Sequence, residues 1–368
     1  MGDEREHRAI AIGIVGPGLV GKALIAQLAE QADRLLEEWG LEIQIHGITD
    51  SKWMLLSYEK LDLSCWQSAL DKQETEANLD SFTYHFASIR EPTDKVIIDC
   101  TASTAVPCFY SKWLSLGIHV ITPNKRMGSG PLQDYLAVKE AQRRYGVHFL
   151  AEASVGAGLP VLSTVRSLRC TGDRVTTFEG VFSGTLSYIF NNFGPGRPFS
   201  EVVSEAKAKG YTEPDPRDDL SGTDVARKVV ILARECNLKV ELHDVEVQSL
   251  VPEPLRDSPS AEAFLEGLPQ FDEDMAAKAQ EAESAGQKLV YVGHVDVASG
   301  KCTAGLKAYA KEHPFAQLSG SDNVIAFYSR HYTPQPLIIR GPGAGAEVTA
   351  AGVFSDLIQV AHGLGACM

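Results

Sequence analysis

One junction near the start limits most strongly what this chain can fold into. Ala9 to Val15 (Ala-Ile-Ala-Ile-Gly-Ile-Val) carries no polar side chain, Gly16-Pro-Gly-Leu-Val-Gly21 follows without a gap, and a helical pattern runs from Lys22 to Gly40. A run without polar positions reads as a strand covered on both faces, which a parallel sheet flanked by helices provides. In the Gly-x-Gly-x-x-Gly order each glycine has its own task. Gly16 permits the tight turn, Gly18 lets the backbone approach a pyrophosphate, and Gly21 lets helix and strand pack closely. The helix start behind them offers unpaired N–H groups and a partial positive charge to phosphates. Tight strand-to-helix turns also occur without ligands, but strand, triplet and helix together point to a dinucleotide.

Further short apolar runs at Ile43–Ile48, Val96–Asp99, His119–Thr122 and Val147–Leu150, with helical stretches at Ser111–Gly117 and Leu132–Gly146, continue the strand–helix alternation. The fold class expected is α/β: a Rossmann-type parallel-sheet domain over residues 1–151, then a second, α+β domain over 152–340. In that second part, Leu289–Gly293, Cys302–Ala308, Val324–Tyr332 and Leu337–Arg340 read as strands of a sheet with antiparallel members. Pro252 to Gly286 is polar and acidic and reads as exposed helix and loop. Residues 341–368 open on a second glycine-rich turn, Gly341-Pro-Gly-Ala-Gly-Ala, and continue as a helix to about His362, suiting a return to the first domain.

The net charge of −14 argues against a phosphate backbone or an anionic membrane as partner, because both select clustered Lys and Arg. The seven cysteines (Cys65, Cys100, Cys108, Cys170, Cys236, Cys302, Cys367) are scattered without a Cys-x-x-Cys pair, so neither a disulfide framework nor a thiolate zinc site is indicated. The opening Met-Gly-Asp-Glu-Arg-Glu-His lacks the apolar core of a signal peptide, and no apolar run approaches the roughly 18 residues needed to cross a bilayer. A cytoplasmic protein with a small-molecule partner is expected.

Several residues are candidates for chemistry. Asp50, at the end of the second strand, would accept from a ribose 2′-hydroxyl and favour NAD, whereas Lys52 would pair with a 2′-phosphate; Asp50 also fits a loop cap, and the preference stays open. Thr101 and Ala102 follow a central strand, where open α/β sheets place ligands, and equally fit a helix cap. Lys125 in Thr122-Pro-Asn-Lys125 reads either as a cleft lysine or as a solvated charge. The stretch Tyr211-Thr-Glu-Pro-Asp-Pro-Arg-Asp-Asp-Leu-Ser-Gly-Thr-Asp224 gathers Glu213, Asp215, Asp218, Asp219 and Asp224 against Arg217. Like charges held together need a compensating cation, which an amino substrate would supply. Lys228 stands one helical turn after Asp224, as a surface ion pair or as an acid/base group able to move the proton of an alcohol while hydride passes to a nicotinamide. No His-Glu-x-x-His and no Gly-x-Ser-x-Gly is present, so zinc hydrolysis and serine-nucleophile chemistry have no support.

Taken in order, Gly16–Gly21, Thr122–Lys125, Glu152-Ala-Ser-Val-Gly-Ala-Gly-Leu-Pro160, Gly210–Gly222 followed by Asp224 and Lys228, and Gly343-Ala-Gly-Ala resemble homoserine dehydrogenase from the first strand to the last helix. The resemblance implies NAD(P)-dependent interconversion of L-homoserine and L-aspartate 4-semialdehyde on the way to threonine, methionine and isoleucine. Carried over by position, it implies Lys228 as the acid/base lysine, with Asp224 and Lys125 as catalytic neighbours. Glu213, Asp218, Asp219 and Asp224 would hold the substrate. Gly16, Gly18, Leu19, Val20, Gly21, Thr101, Ala102, Lys125 and Gly345 would contact the dinucleotide. A sodium ion would take Glu152 and the carbonyls of Val155, Ala157 and Leu159, oxygen donors of the kind a hard cation prefers. The family usually carries hydroxyl or amide residues around position 101, where this chain has Cys100 and Ala102. A homodimer is implied, and the length fits a monofunctional form without a fused aspartate kinase or regulatory domain. A dehydrogenase of another amino acid or semialdehyde, and a dinucleotide-binding sensor without turnover, are the competing readings.

Overall fold

The computed structural model describes residues 7–366, so Cys367 and the first six residues lie outside it. Among the described residues two compact units emerge: those up to Gly158 together with those from Gly345 on, and residues 159–344. Both divisions fall a few residues after the expected 151/152 and 340/341.

In the first unit, strands β1 (Arg8–Val15), β2 (Leu41–Thr49), β3 (Met54–Leu56), β4 (Asp94–Asp99), β5 (Ile118–Ile121) and β6 (Phe149–Leu150) form one sheet in the order β3-β2-β1-β4-β5-β6. All neighbours run parallel except the short β3, which pairs antiparallel with β2. Strand β1 explains its own sequence. Ile10, Ile12 and Ile14 enter one apolar cluster and Ala11 and Val15 the cluster on the other face, so neither side tolerates a polar residue. The Leu19–Trp39 helix covers the first face, ending on Gly40 in the left-handed conformation. The Ala346–Gly363 helix shares that face through Val353, Leu357 and Val360, and Gln27 donates to the Glu347 carbonyl at 3.0 Å. The terminal helix therefore belongs to the first unit, as the second glycine turn implied.

The second unit holds a sheet of β7 (Val175–Val181), β8 (Glu246–Val247), β9 (Gln287–Asp296), β10 (Lys301–Ala310), β11 (Asp322–Ser329) and β12 (Leu337–Pro342), ordered β12-β11-β7-β9-β10-β8. Its ladders are antiparallel apart from the β10–β8 edge pair. The Thr223–Glu235 helix lies against β9, where the bare Gly293 leaves room for Val229 and the Phe182 ring. Pro252–Gly286 is not merely exposed: it includes two helices, Ala261–Gly267 and Asp272–Ser284, that bury Phe264 and Met275, with Leu268 buried in the 3₁₀ turn between them, and Asp272 accepts from the Ser200 backbone N–H and hydroxyl at 2.8 and 2.6 Å. Their acidic faces hide the apolar ones in a composition count. Among the described residues no helix is long and apolar enough to cross a membrane.

Candidate active site

In the first unit the glycine turn opens onto a cavity of about 700 Å³ beyond the carboxyl ends of β1, β2 and β4. Gly16 adopts φ +85°, and a β-carbon there would come within 2.4 Å of the Thr101 side chain; one on Gly21 would come within 2.5 Å of the Gly16 carbonyl oxygen. Gly18 differs. A β-carbon there would meet nothing within 4 Å, so the space beside its backbone is open to an incoming group. Gly16, Gly18, Thr101 and Asp50 line the cavity together with Lys22, Thr49, Trp66 and Ser103, which sequence reading did not single out. Leu19 is exposed, Val20 and Gly21 turn toward the helix packing, and Ala102 is exposed outside the lining. Gly345 caps the terminal helix at φ +116°.

Asp50 proves to be both a cap and a cavity residue: its Oδ1 accepts from the backbone N–H groups of Lys52 and Trp53 at 2.6 and 2.7 Å. One network had little sequence signal. Asp99, fully buried at the end of β4, accepts from the Thr101 N–H at 2.8 Å, the Tyr110 hydroxyl at 2.5 Å and the Asn124 amide at 3.1 Å. Burial pushes its carboxyl above the usual carboxylate range, and those donors pull it back. Asn124 also donates to the Ser103 carbonyl at 2.9 Å and accepts from the Arg126 N–H at 2.9 Å, which caps the Lys125–Ser129 helix. The half-buried Lys125 is thus fixed at its backbone by a network rooted in Asp99.

In the second unit the acidic stretch sorts into separate tasks. Asp215 caps the Pro216–Leu220 helix and pairs with Arg217 at 2.6 Å, while Arg217 donates to the Ser258 carbonyl at 2.7 Å. Asp218 is exposed. Asp219 accepts from the Glu213 N–H at 2.8 Å; burial raises its carboxyl above the ordinary value, and the negative charges of Glu213 and Asp224 add to the rise. Lys228 is 7 % exposed, with its ammonium 2.8 Å from Asp224 Oδ2 and donating to the Phe182 carbonyl at 2.6 Å. Asp224 keeps 44 % of its side chain exposed, so the pair is a buried cation behind an accessible carboxylate and not a solvated surface pair. Glu213, Asp219, Asp224 and Lys228 therefore share one region of this unit.

Glu152 is buried in a single 3₁₀ turn, Glu152–Ser154, and its N–H donates to Asp356 at 2.8 Å. Val155 is buried, and Gly156 and Ala157 both take positive φ, which curls the loop. Leu159 opens the second unit. Among the described residues no group of three or more His, Cys, Asp or Glu side chains is arranged to hold a metal.

Comparison with known proteins finds matches along both halves of the chain. The family model for homoserine dehydrogenase matches residues 160–358, and that for the homoserine dehydrogenase NAD binding domain matches residues 16–152. The bifunctional aspartokinase/homoserine dehydrogenase 1 of Zea mays is 55% identical over 97% of this chain, which spans only 39% of that relative's length. The homoserine dehydrogenase of Schizosaccharomyces pombe is 40% identical over 95% of both chains. A crystal structure of a Candida auris protein of unknown function superposes with a TM-score of 0.91 at 37% identity, covering 96% of this chain and 99% of the other. With both halves matched and a full-length relative well above the threshold of chance likeness, this chain belongs to the homoserine dehydrogenases, a family of NAD(P)-dependent oxidoreductases.

Proposed function

We propose that this chain interconverts L-homoserine and L-aspartate 4-semialdehyde with a nicotinamide dinucleotide, and that Lys228 is its acid/base group. The observation that carries this reading is the buried Lys228 ammonium between Asp224 and the Phe182 carbonyl, beside the carboxylates of Glu213 and Asp219. An amino-acid alcohol carries an ammonium group, and those carboxylates, with Asp218 at the exposed rim, compensate it. A nicotinamide dinucleotide, when bound, supplies the hydride acceptor. In the oxidising direction the unprotonated Lys228 takes the hydroxyl proton as the C–H bond is given up; in the reducing direction its ammonium returns that proton to the carbonyl oxygen. Asp224 holds the lysine in place in both. Lys125 is assigned to the dinucleotide and to the reacting group.

The dinucleotide is assigned to Gly16, Gly18, Leu19, Val20, Gly21, Thr101, Ala102, Lys125 and Gly345, with the pyrophosphate in the open space beside Gly18. Asp50 and Asp71 oppose the single cation Lys22 in the cavity lining, a balance that suits a ribose 2′-hydroxyl better than a 2′-phosphate. A sodium ion on Glu152 and the carbonyls of Val155, Ala157 and Leu159 is supported by the buried carboxylate and by donors that are all oxygen. A homodimer is carried forward from the family resemblance, and the exposed Val247, Tyr332 and Ile338 are candidates for its contact. None of the six described cysteines forms a disulfide, in keeping with a reducing compartment such as the cytoplasm. The domain assignment follows the expected division: a dinucleotide-binding part, a substrate part, and a terminal segment serving the first.

The test is the near-ultraviolet absorbance of reduced nicotinamide when the protein is given homoserine with NAD⁺ or NADP⁺ at mildly alkaline pH. Homoserine-dependent growth, faster with NAD⁺, is expected. Binding of either dinucleotide without turnover would overturn the substrate reading and favour a different amino-acid alcohol or a sensor.

A further inference from the structure

The Phe182 carbonyl accepts two side chains. Phe182 lies just beyond the end of β7, before Ser183 caps the Gly184–Asn192 helix, and its carbonyl oxygen takes the Lys228 ammonium at 2.6 Å and the Asn323 amide at 3.3 Å. Asn323 is completely buried near the start of β11, and its amide oxygen has no hydrogen-bond partner. A buried amide with one end unsatisfied is costly to stability, which points to a use for the other end. The backbone of Gly343 closes over it: a β-carbon at 343 would sit 2.0 Å from the Asn323 Nδ2. The amide is thus clamped with its donor turned to Phe182.

We propose that Asn323 is a positioning residue for Lys228, fixing the direction of the carbonyl on which the lysine ammonium rests and moderating that carbonyl's hold on the proton. This rests on the reading of Lys228 as the acid/base group. A carbonyl oxygen has two lone-pair directions, and donation from Asn323 along one leaves the other for Lys228. The same donation draws electron density from the oxygen, so the ammonium is held less tightly than by an undivided carbonyl. Other titratable groups near the lysine's helix are Asp224 on the helix itself and Asp219 and Glu213 before it. Tyr291 of β9 and Cys302 of β10 lie on the covered face of the sheet, and Arg166 binds Glu235 at the far end. None of these donates to the Phe182 carbonyl.

The variant Asn323→Leu keeps the number and branching of the heavy atoms, is somewhat bulkier, and removes the donor. The expected result is a fall in kcat of about tenfold, less than the roughly 10²–10⁴-fold that a whole acid/base group contributes, as fits a residue acting through another, with homoserine KM and dinucleotide affinity changed less than about twofold. The alkaline rise of the rate should also move to higher pH. The Lys228 titration, read directly by NMR of ¹³C-labelled lysine and assigned through Lys228→Ala, should move up in the same variant without any substrate present. If Asn323→Leu does not fold, Asn323→Ala, which only deletes atoms, is measured in the same way. An unmoved Lys228 titration with an unmoved pH profile overturns the proposal, whatever happens to kcat, since a purely structural loss leaves both in place. A wild-type protein that fails to oxidise homoserine defeats the functional reading instead, and the NMR titration still decides the role of Asn323.

Discussion

The two units build their chemistry from different material. The first offers mainly backbone: a bare turn at Gly16–Gly21, N–H groups at a helix start, and strand ends organised by the buried Asp99. The second offers side chains brought in from separate elements, with Lys228 and Asp224 from one helix, Asp219 from the short helix before it, Glu213 from the loop ahead of that, and the Phe182 carbonyl and Asn323 from two strand ends. A backbone site is sensitive to anything that adds atoms, whereas a side-chain site is sensitive to anything that removes them. That contrast can be broken by substitution.

The largest effect is expected in the second unit. Lys228→Ala should lower homoserine oxidation by on the order of 10³-fold, while dinucleotide affinity, measured by the quenching of Trp66 and the other tryptophans, stays within about twofold. Loss of dinucleotide binding in a folded Lys228→Ala protein would remove the lysine from its assigned role. In the first unit, Gly18→Val should cost about a hundredfold in dinucleotide affinity with little change in melting temperature, because nothing of the protein occupies the space the side chain would take. Gly16→Val should lower both, since it adds a left-handed strain and a collision with Thr101. Equal stability losses in the two variants would mean that Gly18 is a packing glycine like its neighbours.

A smaller effect separates the units by pH. His119, buried in the first unit, accepts the His148 N–H on its Nδ1 at 3.0 Å, and burial with the nearby His148 lowers its pKa from 6.5 to about 4. The unfolded chain therefore binds the extra proton between those values. This contribution to stability is complete above about pH 6.5, falls as the pH drops toward 4, and levels off below. His119→Asn should reduce the acid loss by up to about 3 kcal/mol, read from denaturant unfolding at a series of pH values. Identical pH dependence in the two proteins would show that His119 titrates alike in the folded and the unfolded chain, so that burial does not depress it.

The same contrast explains what the sequence reveals. Strands β1, β2 and β4–β6 are legible because burial on both faces keeps them rich in apolar residues, and the turn after β1 is legible because only glycine serves there. The stretch from Met54 to Ser88, with β3 and the helices Trp66–Asp71 and Leu79–Ser88, escapes notice. Its order depends on Phe82 and Phe86 filling the space that Gly13 and Gly47 leave bare on distant strands. Lys228 and Asp224 announce themselves by their one-turn spacing. Asn323 does not, since an asparagine ahead of an apolar run reads as an ordinary strand end and only the fold brings it to the Phe182 carbonyl. The acidic stretch is legible as a cluster but not in its division of labour, because Asp215 looks no different from Asp219 until Arg217 takes it.

The helix Ala346–Gly363 completes the first unit from the far end of the chain, through Val353, Leu357 and Val360 and the bond between Glu152 and Asp356. During synthesis, then, the first unit starts before the second and is able to close only after it. Residues 159–344 leave the ribosome as an uninterrupted block and can fold while the sheet of the first unit still waits with one face uncovered. A nascent chain stalled before Ala346 would hold a finished second unit and an adhesive, unfinished first one, and that interval is when a chaperone would have most to protect.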